Sequence, residues 1–228
     1  MKKYVFKDLQ HCAFIALCIY NNLELHNMGK IITVAHQKGG VGKSTLAMNL
    51  AVCFQDQLNV ALVDTDLQGS LFQIKEELPG LAVVGNDQLQ EIKRLDYDLV
   101  IVDTPPYLSN KLPELFSLSD FILIPTKAGF FDVMAIRSTI ALLKDAQVKK
   151  PDIQAGIVMN MIKPRSGITK EVSSLLQSME TPVLATMIHD RVSIARSSIT
   201  AGVLQGSDNK AIEEITSLAE EIVNRISA

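Results

Sequence analysis

The sequence predicts an α/β fold with a doubly wound, mostly parallel sheet flanked by helices. Short runs of β-branched and other apolar residues alternate along the chain with longer segments of helical periodicity, which is the pattern of successive β-α-β units. The runs are almost continuously apolar, as expected for strands whose two faces are both covered by helices. A glycine-rich segment joins the first run to the first helical segment. We expect one domain of this class over residues 28 to 228.

The strands follow in order from the apolar runs. They are predicted at residues 30–35, 60–63, 99–102, 121–124, 153–159 and 183–188. Asp64 and Asp103 come directly after the second and third strands, and Pro125 is expected to end the fourth. The glycine-rich segment leads into a first helix predicted at residues 44–55.

The last helix is predicted at about residues 209–226. One face carries the apolar residues Ile212, Ile215, Ala219, Ile222 and Ile226, and the opposite face carries Glu213, Glu214, Glu220 and Glu221. A helix that binds a membrane surface usually has lysine or arginine beside its apolar stripe. Because this polar face is acidic, we expect the helix to dock onto the sheet.

Composition excludes some classes of protein. With 228 residues, 47% of them hydrophobic and 21% charged, the chain has ample material for a buried core. The net charge of -3 means that any contact with nucleic acid must come from a local basic patch. Cys12, Cys18 and Cys53 lack the spacing and histidine partners of a zinc site, and their odd number does not suit a disulfide framework. A reducing cytosol fits this usage best.

The first 27 residues carry no readable function. An apolar run at residues 12–20 follows a weakly basic start, but it is shorter than the ~18 residues that span a bilayer, and no small-residue cleavage site follows it. Met28 directly precedes the first strand. We therefore expect residues 1–27 to be an upstream extension or the product of a misassigned start, and we expect no stable membrane insertion.

The glycine-rich segment has the composition of a phosphate-binding loop. Its residues are Lys38, Gly39, Gly40, Val41, Gly42, Lys43, Ser44 and Thr45. Phosphate oxygens need several N–H donors at close range, and glycine lets the backbone wrap that tightly. Lys43 is expected to reach the β- and γ-phosphates, Ser44 to offer its hydroxyl to Mg²⁺, and the following helix to aim its positive end at the anion.

The loop departs from the common G-x-x-x-x-G-K-[ST] pattern. Gln37 stands where the first glycine would fall, and a second lysine, Lys38, precedes the glycine pair. In this the loop resembles the deviant Walker A loop of the ParA and MinD ATPases, which segregate plasmids and chromosomes or position cellular cargo. The resemblance covers roughly residues 29–206. It implies slow, partner-stimulated ATP hydrolysis and an ATP-bound homodimer in which Lys38 reaches the partner's phosphates.

Two further segments strengthen the resemblance. Residues 64–70, Asp-Thr-Asp-Leu-Gln-Gly-Ser, resemble the family's D-x-D-P-Q-G segment, which implies that Asp66 helps to place the attacking water. Leu67 stands where the family usually has proline, a change expected to loosen the turn. Asp103-Thr104-Pro105-Pro106 resembles the family's Walker B and switch II segment, which implies that Asp103 holds Mg²⁺ through water.

The base of the nucleotide is predicted to be adenine. Proteins that read guanine commonly use an N/T-K-x-D segment, and the nearest candidate, residues 126–129, is Thr-Lys-Ala-Gly and lacks the aspartate. The resemblance implies that Asn160, at the end of its strand, contacts the adenine edge. A turn-forming role for an asparagine at this position is the alternative.

A basic patch is expected near the end of the sheet. Residues 188–196 resemble the family's late loop, whose basic residues touch DNA without regard to sequence. Residues 163–196 contain five basic and three acidic residues, a net charge of +2. Lys163, Arg165, Arg191 and Arg196 are the predicted DNA-binding residues. Ordinary solvated charges are the alternative, and a dimer that doubles the patch would bind DNA in a salt-dependent way.

The resemblance implies a small ParA-type partition ATPase, cytoplasmic and associated with the nucleoid. It implies nonspecific DNA binding in the ATP state and a ParB-like or other small centromere-binding protein as activating partner, since no separate helix-turn-helix domain is expected before the loop. A MinD-like ATPase at a membrane is disfavoured by the acidic last helix. A nitrogenase-iron-protein relative would need paired cysteines, which Cys53 alone does not provide.

Two hypotheses that assign the chain to other classes of protein stay open. The first is a small-molecule ATP-dependent ligase of the dethiobiotin synthetase type, which would turn over a small acid and ignore DNA. The second is a scaffold that binds nucleotide but does not hydrolyse it usefully. It stays open because Leu67 departs from the family's proline.

Overall fold

The computed structural model of the protein describes residues 29–66, 69–85, 96–107, 112–164 and 167–227. The predicted extension at residues 1–27 lies outside the described residues, as do Leu67 and Arg165. The expected effect of Leu67 on its turn therefore stays a prediction. Within the described residues, no helix combines the length and the apolar character needed to cross a bilayer.

The described strands form one parallel sheet, which confirms the predicted fold class. The strands are β1 (Lys30–Val34), β2 (Val60–Asp64), β3 (Ala82–Val84), β4 (Leu99–Asp103), β5 (Phe121–Thr126), β6 (Gln154–Ile162) and β7 (Val183–His189). Their order across the seven-stranded sheet is β3-β2-β4-β1-β5-β6-β7, and every pairing is parallel.

Helices cover both faces of the sheet. They are α1 (Lys43–Phe54), α2 (Ser70–Gln73), α3 (Leu112–Leu118), α4 (Phe130–Lys149), α5 (Ile168–Gln177), α6 (Val192–Ala195) and α7 (Asn209–Ile226), with 3₁₀ turns at Lys75–Glu77 and Val203–Gln205. The first and last helices lie within one residue of their predicted bounds.

Two apolar clusters form the core, one on each face. Residues that follow one another in a strand point to opposite faces, so Ile32 belongs to one cluster and Ile31 to the other. The first cluster joins α1 and α7 to the sheet, and the second joins α3 and α4 to it. The apolar stripe of α7 packs in the first cluster, which confirms that this helix docks onto the sheet.

The register of the central strands places three loops at one edge of the sheet. β1 lies between β4 and β5, and Val34 is paired with Asp103, which is itself paired with Asp64. The carboxyl ends of β1, β2 and β4 therefore finish at the same level. In open parallel sheets this edge is where ligands bind.

The prediction that Pro125 ends its strand is wrong. β5 continues through Pro125 to Thr126, because Pro125 is paired with Val158 of β6. The pairing of β5 with β1 stops at Leu123, so beyond that residue one side of β5 has no strand partner in β1. A residue without an N–H is tolerated where one side of the strand is free of a ladder.

The acidic face of α7 is not simply solvated. Glu221 accepts hydrogen bonds from the backbone N–H groups of Ala185 and Thr186 at 2.9 and 3.0 Å, and Glu214 accepts one from the N–H of His189 at 2.9 Å. These donors belong to β7, the last strand of the sheet. Two of the four glutamates thus satisfy the open edge of the sheet, a task that no helical periodicity can reveal.

Candidate nucleotide-binding site

The loop between β1 and α1 has the backbone shape of an anion cradle. Gly40 and Gly42 have φ angles of +70° and +90°, in the left-handed region that favours glycine. Gly42 is the N-cap of α1, and its carbonyl accepts the first helical hydrogen bond, from the N–H of Leu46 at 3.0 Å. The start of α1 therefore opens towards the loop, as an anion requires.

Lys43 lies beneath this loop. It is only 6% exposed, and its amine donates to the carbonyl oxygen of Lys38 at 3.3 Å. Burial lowers the pKa of Lys43, while the nearby carboxylates of Asp103 and Asp66 raise it. A buried ammonium close to the loop suits a site that receives an anion, and the predicted contact of Lys43 with the β- and γ-phosphates stays a prediction.

Lys38 is partly exposed and forms an ion pair with α4. Its amine lies 2.6 Å from Oδ1 of Asp132, which is in the first turn of α4, and its side chain is 39% exposed. Sequence reasoning missed Asp132, because an acidic residue in a first helical turn ordinarily only complements the helix dipole. The structure thus pairs the signature lysine with a carboxylate of its own chain.

His36 is a second residue that the sequence did not single out. It is 2% exposed, and its Nδ1 accepts a hydrogen bond from the backbone N–H of Lys38 at 2.8 Å. A ring nitrogen that accepts carries no proton, so the imidazole is neutral. Burial lowers the pKa of His36 to about 4, and the charge of Lys43 adds to this effect.

His36 is expected to make the protein sensitive to acid. A histidine with a pKa near 6.5 when unfolded and about 4 when folded stabilises the fold above pH 6.5 and loses that contribution as the pH falls towards 4. Between pH 7 and pH 5 the loss is about 2 kcal/mol. Urea unfolding at both pH values, compared with His36→Gln, measures it. An equal pH dependence in the two proteins would show that His36 does not titrate in this way.

Asp103 and Ser44 form a donor set that fits Mg²⁺. Asp103 is 1% exposed at the end of β4, and its buried Oδ1 has no hydrogen-bond partner. Burial raises the pKa of Asp103 to about 7, although a hydrogen bond with Ser44 and the charge of Lys43 oppose this. A carboxylate and a hydroxyl beside a phosphate loop are the few oxygen ligands that Mg²⁺ takes from a protein when phosphates and water supply the rest.

The two aspartates of residues 64–66 have separate tasks. Asp64 accepts three backbone N–H groups, from Leu71 and Phe72 at 2.8 and 3.0 Å and from Asp66 at 3.1 Å. Its carboxylate is therefore occupied in shaping the turn. The charge of Asp66 raises the pKa of both Lys43 and Asp103. Its predicted role in placing the attacking water stays a prediction.

Two threonines fasten the strand ends that carry the site. The hydroxyl of Thr65 donates to the carbonyl of Asp103 at 2.6 Å, and that of Thr104 donates to the carbonyl of Val34 at 2.9 Å. Both threonines are buried. These bonds join β2 to β4 and β4 to β1 at the edge where the loop begins.

Asn160 also lies against the loop. Its Nδ2 donates to the carbonyl oxygen of Val41 at 2.7 Å, and its Oδ1 accepts from the N–H of Met161 at 2.9 Å. The residue is only 2% exposed. The structure therefore brings Asn160 to the nucleotide loop, and its predicted contact with adenine stays a prediction.

The predicted DNA-binding residues differ in their availability. Arg191 is bound to Glu214 through Nε at 3.1 Å and Nη2 at 2.7 Å, and its side chain is 23% exposed. Lys163 and Arg196 are exposed. Glu214 lies 23 residues further along the chain, on the acidic face of α7, so the sequence offered no sign of this pair.

A parallel sheet with a glycine loop, a buried lysine and a magnesium donor set at its carboxyl edge defines a P-loop nucleotide-binding domain. The model of the "CobQ/CobB/MinD/ParA nucleotide binding domain" family matches residues 32–202, and the chain belongs to this family. It is an ATPase domain of the ParA/MinD type.

Relatives and solved structures agree with this placement. Maintenance of carboxysome distribution protein A of Halothiobacillus neapolitanus is 30% identical over 212 residues, covering 86% of this chain and 98% of the relative. A plasmid partition protein of Borrelia burgdorferi bound to AMPPNP has a TM-score of 0.62 at 21% identity, covering 83% of this chain and 98% of that chain. The septum site-determining protein MinD of Pyrococcus horikoshii with Mg-ADP has a TM-score of 0.64 at 18% identity. The match covers 86% of this chain and 96% of that chain.

Proposed function

We propose that this protein is a slow ATPase switch that dimerises with ATP, binds DNA without regard to sequence and positions a large cargo on the nucleoid. The observation that carries the proposal is the arrangement of the two lysines. Lys43 is buried beneath the loop, whereas the Lys38 side chain is 39% exposed and its amine is paired with Asp132 of α4. An exposed lysine can exchange this carboxylate for the phosphates of a second chain.

The switch follows from the charges at the site. Phosphoryl transfer depends mainly on positioning and on neutralising the phosphate oxygens, and the loop N–H groups and Lys43 serve both needs. Ser44 and Asp103 would hold Mg²⁺, which supplies further neutralising charge when bound. In a dimer, Lys38 of each chain would leave Asp132 for the phosphates of the other. Hydrolysis then removes the γ-phosphate contact and releases the dimer.

The cargo is proposed to be a plasmid or a chromosome, recognised through a ParB-like or other small centromere-binding protein that stimulates hydrolysis. The similarity to a plasmid partition protein supports this reading at the level of the fold. A protein compartment is the second candidate cargo, because the carboxysome distribution relative matches over 98% of its length. The two differ in the partner that stimulates hydrolysis, a centromere-binding protein or a protein bound to the compartment.

DNA binding tests the proposal directly, and Arg196 is the residue to change. Arg191→Glu would bring a new carboxylate against Glu214 and disturb the fold, whereas Arg196 is exposed. We expect Arg196→Glu to weaken ATP-dependent binding to nonspecific duplex DNA by about tenfold, since a dimer loses two phosphate contacts. The measurement is a titration at two salt concentrations with ADP, ATP and a nonhydrolysable analogue.

Lys149→Glu is the matched control. It makes the same charge change at an exposed position at the end of α4. DNA affinity equally reduced in both variants would show a general charge effect rather than a patch. Nucleotide binding by the unchanged protein without any DNA binding would instead favour the ligase of the dethiobiotin synthetase type or a MinD-like ATPase.

A further inference from the structure

Asn160 makes both of its observed side-chain hydrogen bonds to backbone groups. Its Nδ2 donates to Val41, 119 residues earlier in the chain, and its Oδ1 accepts from the next residue, Met161. It is almost fully buried. A buried amide committed in this way serves the backbone that it holds, because losing either partner would leave a polar group unsatisfied.

The amide also closes one side of Gly42. A β-carbon at Gly42 would collide with Nδ2 of Asn160 and would lie 3.3 Å from the terminal methyl of Met161. The end of β6 therefore packs directly on the residue where the loop turns into α1. Lys43 is the next residue in the chain.

The backbone at Met161 is strained. Its φ angle is +54°, in the left-handed region that residues other than glycine seldom adopt. The register between β6 and β7 shifts between Met159 and Ile162, which brackets this residue. Such strain persists only where the surrounding structure determines the conformation, and here the Asn160 side chain accepts the Met161 N–H.

We propose that Asn160 is a positioning residue that fixes the direction of the Val41–Gly42 peptide. In a planar trans peptide the C=O and the N–H point in opposite directions. Because Asn160 holds the Val41 carbonyl, the Gly42 N–H is turned away from β6, into the space that the loop encloses. Asn160 thus sets one donor of the phosphate cradle, a role at the phosphate chain that is separate from its predicted contact with the base. The inference rests on nucleotide binding by this loop but on neither DNA binding nor dimerisation.

The test compares two ligands that share only the phosphate chain. Mg-ATP and Mg-tripolyphosphate are titrated calorimetrically into the full-length protein and into Asn160→Ala. We expect both ligands to bind about tenfold more weakly to the variant, because the Val41–Gly42 peptide is free to rotate. Loss of ATP affinity alone would show that Asn160 reads the base, and unchanged affinity for both ligands would show that it positions nothing.

Asn59→Ala is the matched control. Asn59 also donates its Nδ2 to the backbone carbonyl of a separate segment, that of Asp96 at 2.5 Å. Because Asn59 directly precedes β2, it lies at the opposite end of that strand from the nucleotide loop. Its replacement is expected to change affinity for either ligand by less than about twofold. Asn160→Ser, with a hydroxyl too short for Val41, serves if the alanine variant does not fold.

A second readout needs no ligand. In the nucleotide-free protein, hydrogen exchange over residues 38–43 is expected to be faster in Asn160→Ala than in the unchanged protein or in Asn59→Ala. Equal exchange in all three proteins would overturn the positioning role. Failure of the unchanged protein to bind either ligand would contradict nucleotide binding by the loop, and the exchange result would still decide whether Asn160 holds the peptide.

Discussion

Lys43→Ala is expected to abolish measurable nucleotide binding, with at least about a hundredfold loss of affinity for ATP and for ADP. Within the described residues Lys43 is the only lysine that is buried, at 6% exposure. Its ammonium is the charge that offsets Asp103 and Asp66. Without it, the phosphate chain loses the buried positive charge beneath the loop, and the Asp66 carboxylate repels it.

The fold should survive this substitution. Removing a buried ammonium relieves its desolvation cost, and a raised pKa lets Asp103 take up a proton in place of the lost charge. Thermal unfolding measures the stability of the variant, and titration with a fluorescent ATP analogue measures its affinity for nucleotide. A folded Lys43→Ala protein that binds ATP within a few-fold of the unchanged protein would exclude Lys43 from the phosphate site.

Lys38→Ala is expected to remove ATP-dependent dimerisation while leaving the affinity of the single chain for ATP within a few-fold. The Lys38 amine is paired with Asp132, and the buried Lys43 remains to hold the phosphates of its own chain. Its contribution would come in the dimer, where it adds a positive charge to the partner's phosphates. Sedimentation velocity with ADP and with a nonhydrolysable ATP analogue measures the dimer.

Asp132→Asn is expected to have the opposite effect on dimerisation in the same sedimentation experiment. It keeps the shape of the side chain but removes the charge that holds Lys38, so the dimer should form at a lower protein concentration. Equal loss of nucleotide affinity in Lys38→Ala and Lys43→Ala would contradict the assignment of Lys38 to the partner's site. Unchanged dimerisation in both Lys38→Ala and Asp132→Asn would remove the pair from the switch.

Most of the sheet could be predicted because its signals are local. Apolar runs and the spacing of the glycines depend on neighbours within a few residues, and those neighbours are visible in the sequence. β3 was missed because it has three residues and half-buried side chains, too little for a pattern. The prediction for Pro125 failed because a strand tolerates proline only where one side lacks a hydrogen-bonded neighbour. Where β1 ends decides this, and that is a property of the sheet and not of the local sequence.

The features of the site also separate into local ones, which the sequence predicts, and tertiary ones, which it does not. By itself the sequence determined the fold class, the phosphate loop and the residue types that suit nucleotide and Mg²⁺, since each depends on spacing within one segment. Only the tertiary structure decided which groups face one another: the Lys38 amine with the Asp132 carboxylate, the Asn160 amide with the Val41 carbonyl, and the Arg191 guanidinium with Glu214. Each pair joins separate elements, and pairs of this kind depend on how helices and strands pack, which no local period encodes.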